Sequence, residues 1–399
     1  MSNLELKILT PTFIGSGNKL LPIEIYDEGR TVRVFKFDNL TGQIANLLPP
    51  QRVKNVMLNL SKEVSQNGRF KPLREVLEEL NLNVEKLNPD YTLEVEGNFQ
   101  PSEVEEFIKT LKGVYIPGSE IKGAFRTAIF YHFLTKNGEI WEQFINELER
   151  FLRNYNPRSL KPFAQHWENK IFAGKPLPEV FSNREPPKAR EDLLKFLQVE
   201  DTEVKNPSEV LVLKTFHLRR SKKNLTVWVE SLRKDTSFSF RIYWNSKGVK
   251  SFLEIYLRNL NENLRTFWEG LNEEELLRIL DEFTRDLITF EIEKRKNGGI
   301  SRRQNPNSND YFSILEKLNR IKETQRNEEI ETLERLKEEK GFLLRLGKYT
   351  GRYSHSVLLA VYKKDREFFE RELKKRFSSK TYWTDGEGNP LGFCKVNFS

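Results

Sequence analysis

The sequence predicts an α+β fold, a sheet with helices packed on one face. Three observations carry this. Apolar and polar residues alternate near the N-terminus. A stretch with apolar residues at helical spacing follows Gly118, and a second group of strand-like segments returns at 210–243. Strand, helix and strand pair thus occur twice, separated by charged helical insertions.

Along the chain, Leu4, Leu6 and Ile8 within 3–14 have the period of a half-buried strand, ended by Pro11 and a Gly15-Ser16-Gly17 turn. Ile23–Tyr26 and Thr31–Phe37 read as strands around an Asp27-Glu28-Gly29-Arg30 turn. Residues 43–83 are polar and helix-like, and Tyr91–Val95 reads as another strand. Val114–Pro117 leads into a helix from Glu120 to Leu134. Ser119 is its expected N-cap, and Ile121, Phe125, Ile129 and Phe133 form its buried face. A second helix is expected over Trp141–Arg153. Six prolines between Asn154 and Lys188 predict a long irregular connection. Strands follow at Val210–Arg219, Leu225–Glu230 and Ser237–Tyr243, with helices over 248–294. Residues 297–310 (NGGISRRQNPNSND) have loop composition, and the charged stretch Tyr311–Lys340 reads as a solvated helical hairpin. Gly347–Gly351 is a Gly-rich loop, and TYWTDGEGNPLGFCKVNF closes the chain as a hairpin. No period of 20–50 residues repeats, which excludes a solenoid.

The chain has 399 residues, 37% of them hydrophobic, with 29 Phe and 12 Tyr, so a substantial core is expected. No apolar run approaches the roughly 20 residues of a transmembrane helix. The N-terminus lacks a basic segment followed by an apolar one, so a secretory signal is not expected. A single cysteine excludes an internal disulfide framework and a cysteine-based zinc site. A cytoplasmic protein without a membrane partner is therefore expected. The net charge of +8 lies over a very charged surface, which fits either internal ion pairing or a polyanion partner.

Four basic segments are candidates for nucleic acid. Lys122 and Arg126 stand four apart at a helix start, where like charges repel and cations oppose the macrodipole. A phosphate there would relieve both; Glu120 or a distant carboxylate would do so as well. The loop in LLRLGKYTGRYSHS places Lys348, Tyr349, Arg352, Tyr353 and His355 around two glycines, suited to single-stranded RNA. It lacks the spacing of a phosphate-binding P-loop. Arg219, Arg220, Lys222 and Lys223 cluster in a turn between strands, and Arg302 with Arg303 sits in the Gly-Gly loop. The bland alternative for each is a solvated basic loop.

Catalytic and cofactor motifs are not evident. His132, His166, His217 and His355 have no metal-ligand spacing, and His132 falls beside its helix's buried stripe. No nucleophile elbow, Cys-His pairing or compact Asp cluster occurs, so no cofactor is expected. One enzymatic option remains: His355 with Tyr353 and Lys348 as a metal-independent RNA-cleaving group.

Taken together, IPGSEIKGAFRTA, the N-terminal TPTFIGSG and the later LRLGKYTG resemble the RAMP superfamily of CRISPR systems. That resemblance implies modified ferredoxin-like (RRM-type) domains. PLGFCKV, FLQVEDTEV at 196–204 and the order of the blocks are similar to the branch that caps the backbone of type III-A (Csm) complexes near the 3′ end of the CRISPR RNA. It implies a non-catalytic subunit with a role in CRISPR RNA maturation, whose partners are the guide RNA and other Csm backbone subunits, with host nucleases as further candidates. Ser119, Lys122 and Arg126 inherit an RNA-backbone role, and Lys348 and Arg352 a role in the Gly-rich loop. The stretch GSGNKLLPIEIY has no Asp before Asp27, so target cleavage is not carried over. A repeat-processing endonuclease branch with a catalytic His keeps His355 as the alternative. The implied division is a first core over 1–245, with a helical insertion at about 43–110 and the Pro-rich connection at about 154–188. A mostly helical insertion over 246–340 follows, and 341–399 completes the second half.

Overall fold

In the computed structural model, which describes residues 2–67, 70–100, 102–154, 160–173, 192–219, 225–257, 260–296, 309–374 and 382–399, the N-terminal alternation forms β1 (Ser2–Ile8). Leu4, Leu6 and Ile8 are fully buried along it. Then come β2 (Gly15–Leu20), β3 (Ile25–Asp27) and β4 (Thr31–Val34), followed by α1 (Phe37–Leu47), α2 (Pro50–Asn67) and α3 (Leu73–Glu79). Strands β5 (Tyr91–Glu96), β6 (Val104–Phe107), β7 (Lys109–Thr110) and β8 (Gly113–Val114) lead to α4 (Gly118–Lys136), α5 (Gly138–Arg153) and α6 (Leu160–Phe172). After β9 (Leu197–Val199) and α7 (Pro207–Val210), β10 (Leu211–Arg219), β11 (Thr226–Leu232) and β12 (Ser237–Trp244) follow in succession. Helices α8 (Ser246–Tyr256), α9 (Glu262–Gly270), α10 (Glu273–Lys296) and α11 (Asn309–Glu338) precede β13 (Phe342–Arg345) and α12 (Leu358–Lys364). The chain ends on β14 (Tyr382–Asp385) and β15 (Phe393–Phe398).

Two main sheets result. One has five strands in the order β13-β15-β1-β12-β9, each neighbouring pair antiparallel. The other has eight, β2-β6-β11-β10-β5-β4-β3 with β14 also on β10; the β5–β10 and β6–β11 pairs are parallel. The α+β class is therefore as expected. Ile121, Phe125, Ile129 and Phe133 of α4 are buried, and α10 packs against that helix. Tyr131 and Phe283 meet at 5.2 Å, and the Tyr131 hydroxyl donates to Asp286 at 2.6 Å. One hydrophobic core runs from Leu4 to Val396. Among the described residues no helix is long and apolar enough to cross a membrane.

Several local expectations fail for physical reasons. Gly15-Ser16-Gly17 opens strand β2 rather than forming a turn; its pairing with β6 is irregular between Gly15 and Lys19. The Pro-rich connection contains α6, held by the fully buried Trp167 and Ile171, while residues 174–191 lie outside the described residues. Residues 311–338 belong to one helix, not a hairpin. Its Ile330, Leu333 and Leu336 pack with Ile288 and Ile292 of α10. The expected C-terminal hairpin is reduced to a single antiparallel bridge, Thr384 to Pro390, since β14 joins β10 and β15 joins β1 and β13. Buried Asp385 steers that separation: it accepts from Lys214 Nζ at 2.8 Å and from the Asn389 amide at 2.7 Å.

Candidate nucleic-acid interface

Three segments that stand far apart in sequence line one cleft of about 570 Å³. Ile14, Gly15 and Gly17 come from the entry to β2. Ser119, Glu120, Gly123 and Ala124 come from the first turns of α4, and Arg345, Leu346, Gly347 and Lys348 from the end of β13 and the loop after it. The backbone joins two of these directly, since the Lys348 amide donates to the Phe13 carbonyl at 2.8 Å. Gly347 has φ +90°, and a Cβ on it would overlap that same carbonyl, so the glycine is required.

The helix start differs from expectation. Pro117 is the N-cap of α4 and Ser119 lies inside the first turn, without a side-chain capping bond. The Gly118 amide donates to Asp201 Oδ1 at 2.8 Å, so the chain brings its own anion to this terminus. Lys122 is half-buried, and its Nζ donates to the Leu197 carbonyl at 2.7 Å. Burial lowers its pKa, with Asp192 acting against that. Arg126 pairs with Asp192 and, at 3.7 Å, with Glu168, while its guanidinium lies 4.4 Å from the Phe172 ring centre. Neither cation lines the cleft. Within the chain the like-charge pair is thus met by the Leu197 carbonyl at Lys122 and by Asp192 and Glu168 at Arg126.

Among the described residues, the Gly-rich loop keeps one exposed cation. Lys348 is half exposed, 2.8 Å from Glu105, and the Tyr349 hydroxyl donates to the same carboxylate at 2.7 Å. The Tyr349 ring packs at 4.4 Å from Trp383. Burial, then the Glu105 hydrogen bond, raises the Tyr349 pKa above its ordinary value. Tyr353, expected to stack on RNA, is buried at 6% exposure with its ring 4.4 Å from Phe290. Its ring is therefore part of the core rather than of the open face of the loop. The side chains of Arg352 and His355 lie outside the described residues. So do Arg220, Lys222, Lys223, Arg302 and Arg303. Arg219 donates from Nε to the Thr384 hydroxyl at 2.9 Å, which ties β10 to β14, and it is not among the cleft's residues.

Arg345 was missed by sequence reasoning. It is 6% exposed, donates from Nε to the Leu391 carbonyl at 2.8 Å, and pairs with Glu291. Glu291 also takes Arg295 at 3.0 Å, and Arg295 reaches Glu329 at 3.2 Å. The available signal was one arginine inside the apolar run FLLRL, because a charge in a buried strand must be paired. Among the described residues no three His, Cys, Asp or Glu side chains are arranged to hold a metal. His132 packs 5.5 Å from Phe267, and burial lowers its pKa. Burial pushes the Cys394 thiol up to about 12.

The chain belongs to the RAMP superfamily, whose family model matches residues 5–353. Within that superfamily it is Csm5-like. It is 23% identical over 301 residues to the Methanocaldococcus jannaschii protein named CRISPR system Cms protein Csm5; the match covers 73% of this chain and 63% of that relative. Its fold follows a chain of a Csm–crRNA–target RNA ternary complex from a type III-A CRISPR-Cas system, solved by cryo-EM. That match spans 100% of both chains, with TM-score 0.70 and 19% identity. The crystal structure of T. onnurineus Csm5 matches with TM-score 0.66 and 21% identity over 98% of this chain and 99% of that one. At these identities the two structures establish the fold.

Proposed function

We propose that the chain is a non-catalytic RNA-binding subunit of a type III-A CRISPR effector complex. It holds the CRISPR RNA toward its 3′ end, caps the filament of backbone Csm subunits and contributes to CRISPR RNA maturation. The observation that carries this is the convergence of the GSG segment, the start of α4 and the Gly-rich loop on one cleft, with Lys348 at its edge. Bare glycine backbone beside an exposed ammonium suits a sugar–phosphate chain, whose contacts are mostly sequence-independent. The Csm5 likeness supports the choice of complex, and the ternary-complex match supports the choice of RNA. Ser119, Lys348 and Arg352 are the residues proposed at the RNA. Lys122 and Arg126 would support it from behind by fixing α4 to Leu197 and Asp192.

The ferredoxin-like reading of the core belongs to the same proposal. It is supported by the order β15-β1-β12-β9, with α4 and α10 in the two crossovers, which is a βαββαβ arrangement. On this reading a single such core closes only when β15 returns to β1, and β13 and the eight-stranded sheet are additions to it. Recruitment of host nucleases would be read from what co-purifies with the complex. The test of function is assembly with and without this chain, followed by 3′-exonuclease digestion. The expected result is that the 3′ end is protected only when the chain is present. Identical digestion in both preparations would overturn the proposal.

A further inference from the structure

Gly123 lies inside α4, a helix of 19 residues. Glycine is the costliest interior helix residue after proline, so a helix that keeps one usually has a neighbour pressed against the bare Cα. Gly118 is explained in that way, because a Cβ there would overlap the Val199 carbonyl oxygen. Gly123 is not. Among the described residues, a Cβ built on it meets no heavy atom within 4 Å beyond its own helix backbone, its φ is not in the left-handed region, and the residue is exposed. Among the described residues, nothing in the packing or the backbone conformation asks for glycine at this position.

Its location offers a reason. Gly123 lines the cleft, together with Ser119 and Glu120 of its own helix and Gly347 and Lys348 across from it. Gly42 in α1 is the useful comparison: it also sits inside a helix with nothing within 4 Å of a built Cβ, yet it is not among the cleft's residues. We propose that Gly123 is left without a side chain so that the RNA sugar–phosphate backbone lies directly on α4, in van der Waals contact with the helix at that point. A methyl group there would hold the backbone off the helix. It would also stretch the contacts that Ser119 and Lys348 make on either side, since these depend on the same seating. The inference rests on the RNA reading of the cleft and assigns a particular residue to setting how deeply the RNA sits.

The test is guide-RNA affinity and thermal melting of the full chain and its Gly123→Ala, Gly123→Leu and Gly42→Ala variants. Gly123→Ala is expected to melt at or above the wild-type temperature while binding guide RNA about tenfold more weakly. Gly123→Leu is expected to bind more weakly still, and Gly42→Ala to gain stability without change in affinity. Gly123 variants that bind as tightly as wild type would overturn the inference while leaving the RNA reading intact. So would an equal loss in Gly42→Ala, or Gly123 variants that unfold and thereby reveal a structural need. A wild-type chain that binds no guide RNA would overturn the RNA reading itself, and the inference with it.

Discussion

At Lys348 an ammonium half exposed to solvent shares the Glu105 carboxylate with the Tyr349 hydroxyl. An exposed pair of this kind contributes about 0–1 kcal/mol, so the cation can turn to a phosphate at little cost. Lys348→Ala is therefore expected to leave the melting temperature nearly unchanged and weaken guide-RNA binding. It should also lower the slope of log affinity against log salt by about 0.7 for single-stranded RNA, as measured by titration at several salt concentrations. An unchanged slope would remove Lys348 from the interface. Arg345 is the opposite case, because its guanidinium is buried and Glu291 depends on it. Arg345→Leu leaves that carboxylate with fewer partners and should cost about 3–5 kcal/mol in urea unfolding. The pH dependence follows from the same group. Burial alone would raise the Glu291 pKa, but Arg345 and Arg295 outweigh it and hold it below the usual carboxylate range. Its stabilisation is present above the unfolded value of about 4.3 and is lost as pH falls through the lower folded value. Glu329 runs the other way, since burial raises it despite Arg295. The urea midpoint of Arg345→Leu should accordingly fall less steeply than that of wild type as the solution is acidified below about pH 4.3.

Elements with a strong apolar period were legible in the sequence, and elements defined by distant partners were not. The buried stripe Ile121, Phe125, Ile129 and Phe133 gave α4 directly, and the Leu4-Leu6-Ile8 alternation gave β1. Prolines hid α6, although they flank or open the helix rather than interrupt its centre, and Trp167 and Ile171 anchor it. Trp167→Ala should cost about 3–5 kcal/mol in urea unfolding, whereas a truly irregular segment would show a far smaller loss. The helix start was misread because a capping oxygen was sought next door. It comes instead from Asp201, 83 residues away. Asp201→Ala is expected to lower stability by about 1 kcal/mol, while Asp201→Asn keeps the acceptor and should lose less; equal losses would argue against the cap. The same distance in sequence concealed Asp192 and Glu168 as partners of Arg126. Read along one helix, the like-charge pair showed neither the carboxylates at Arg126 nor the Leu197 carbonyl at Lys122.

Across the whole molecule, a net charge of +8 is a weak guide, since most of the cations described here are paired within the chain. Position carries more than total charge does. The three segments that resemble RAMP proteins are separated by more than two hundred residues at their extremes, and only closure of β13, β15 and β1 into one sheet brings them to a common cleft. The most direct measurement is ultraviolet crosslinking of labelled guide RNA in the assembled complex, with the modified peptides identified by mass spectrometry. Crosslinks should fall in residues 13–17, 115–127 and 343–353, on nucleotides near the 3′ end of the guide. Crosslinks confined to other parts of the chain, or to the 5′ end of the guide, would contradict the assignment of this cleft to RNA.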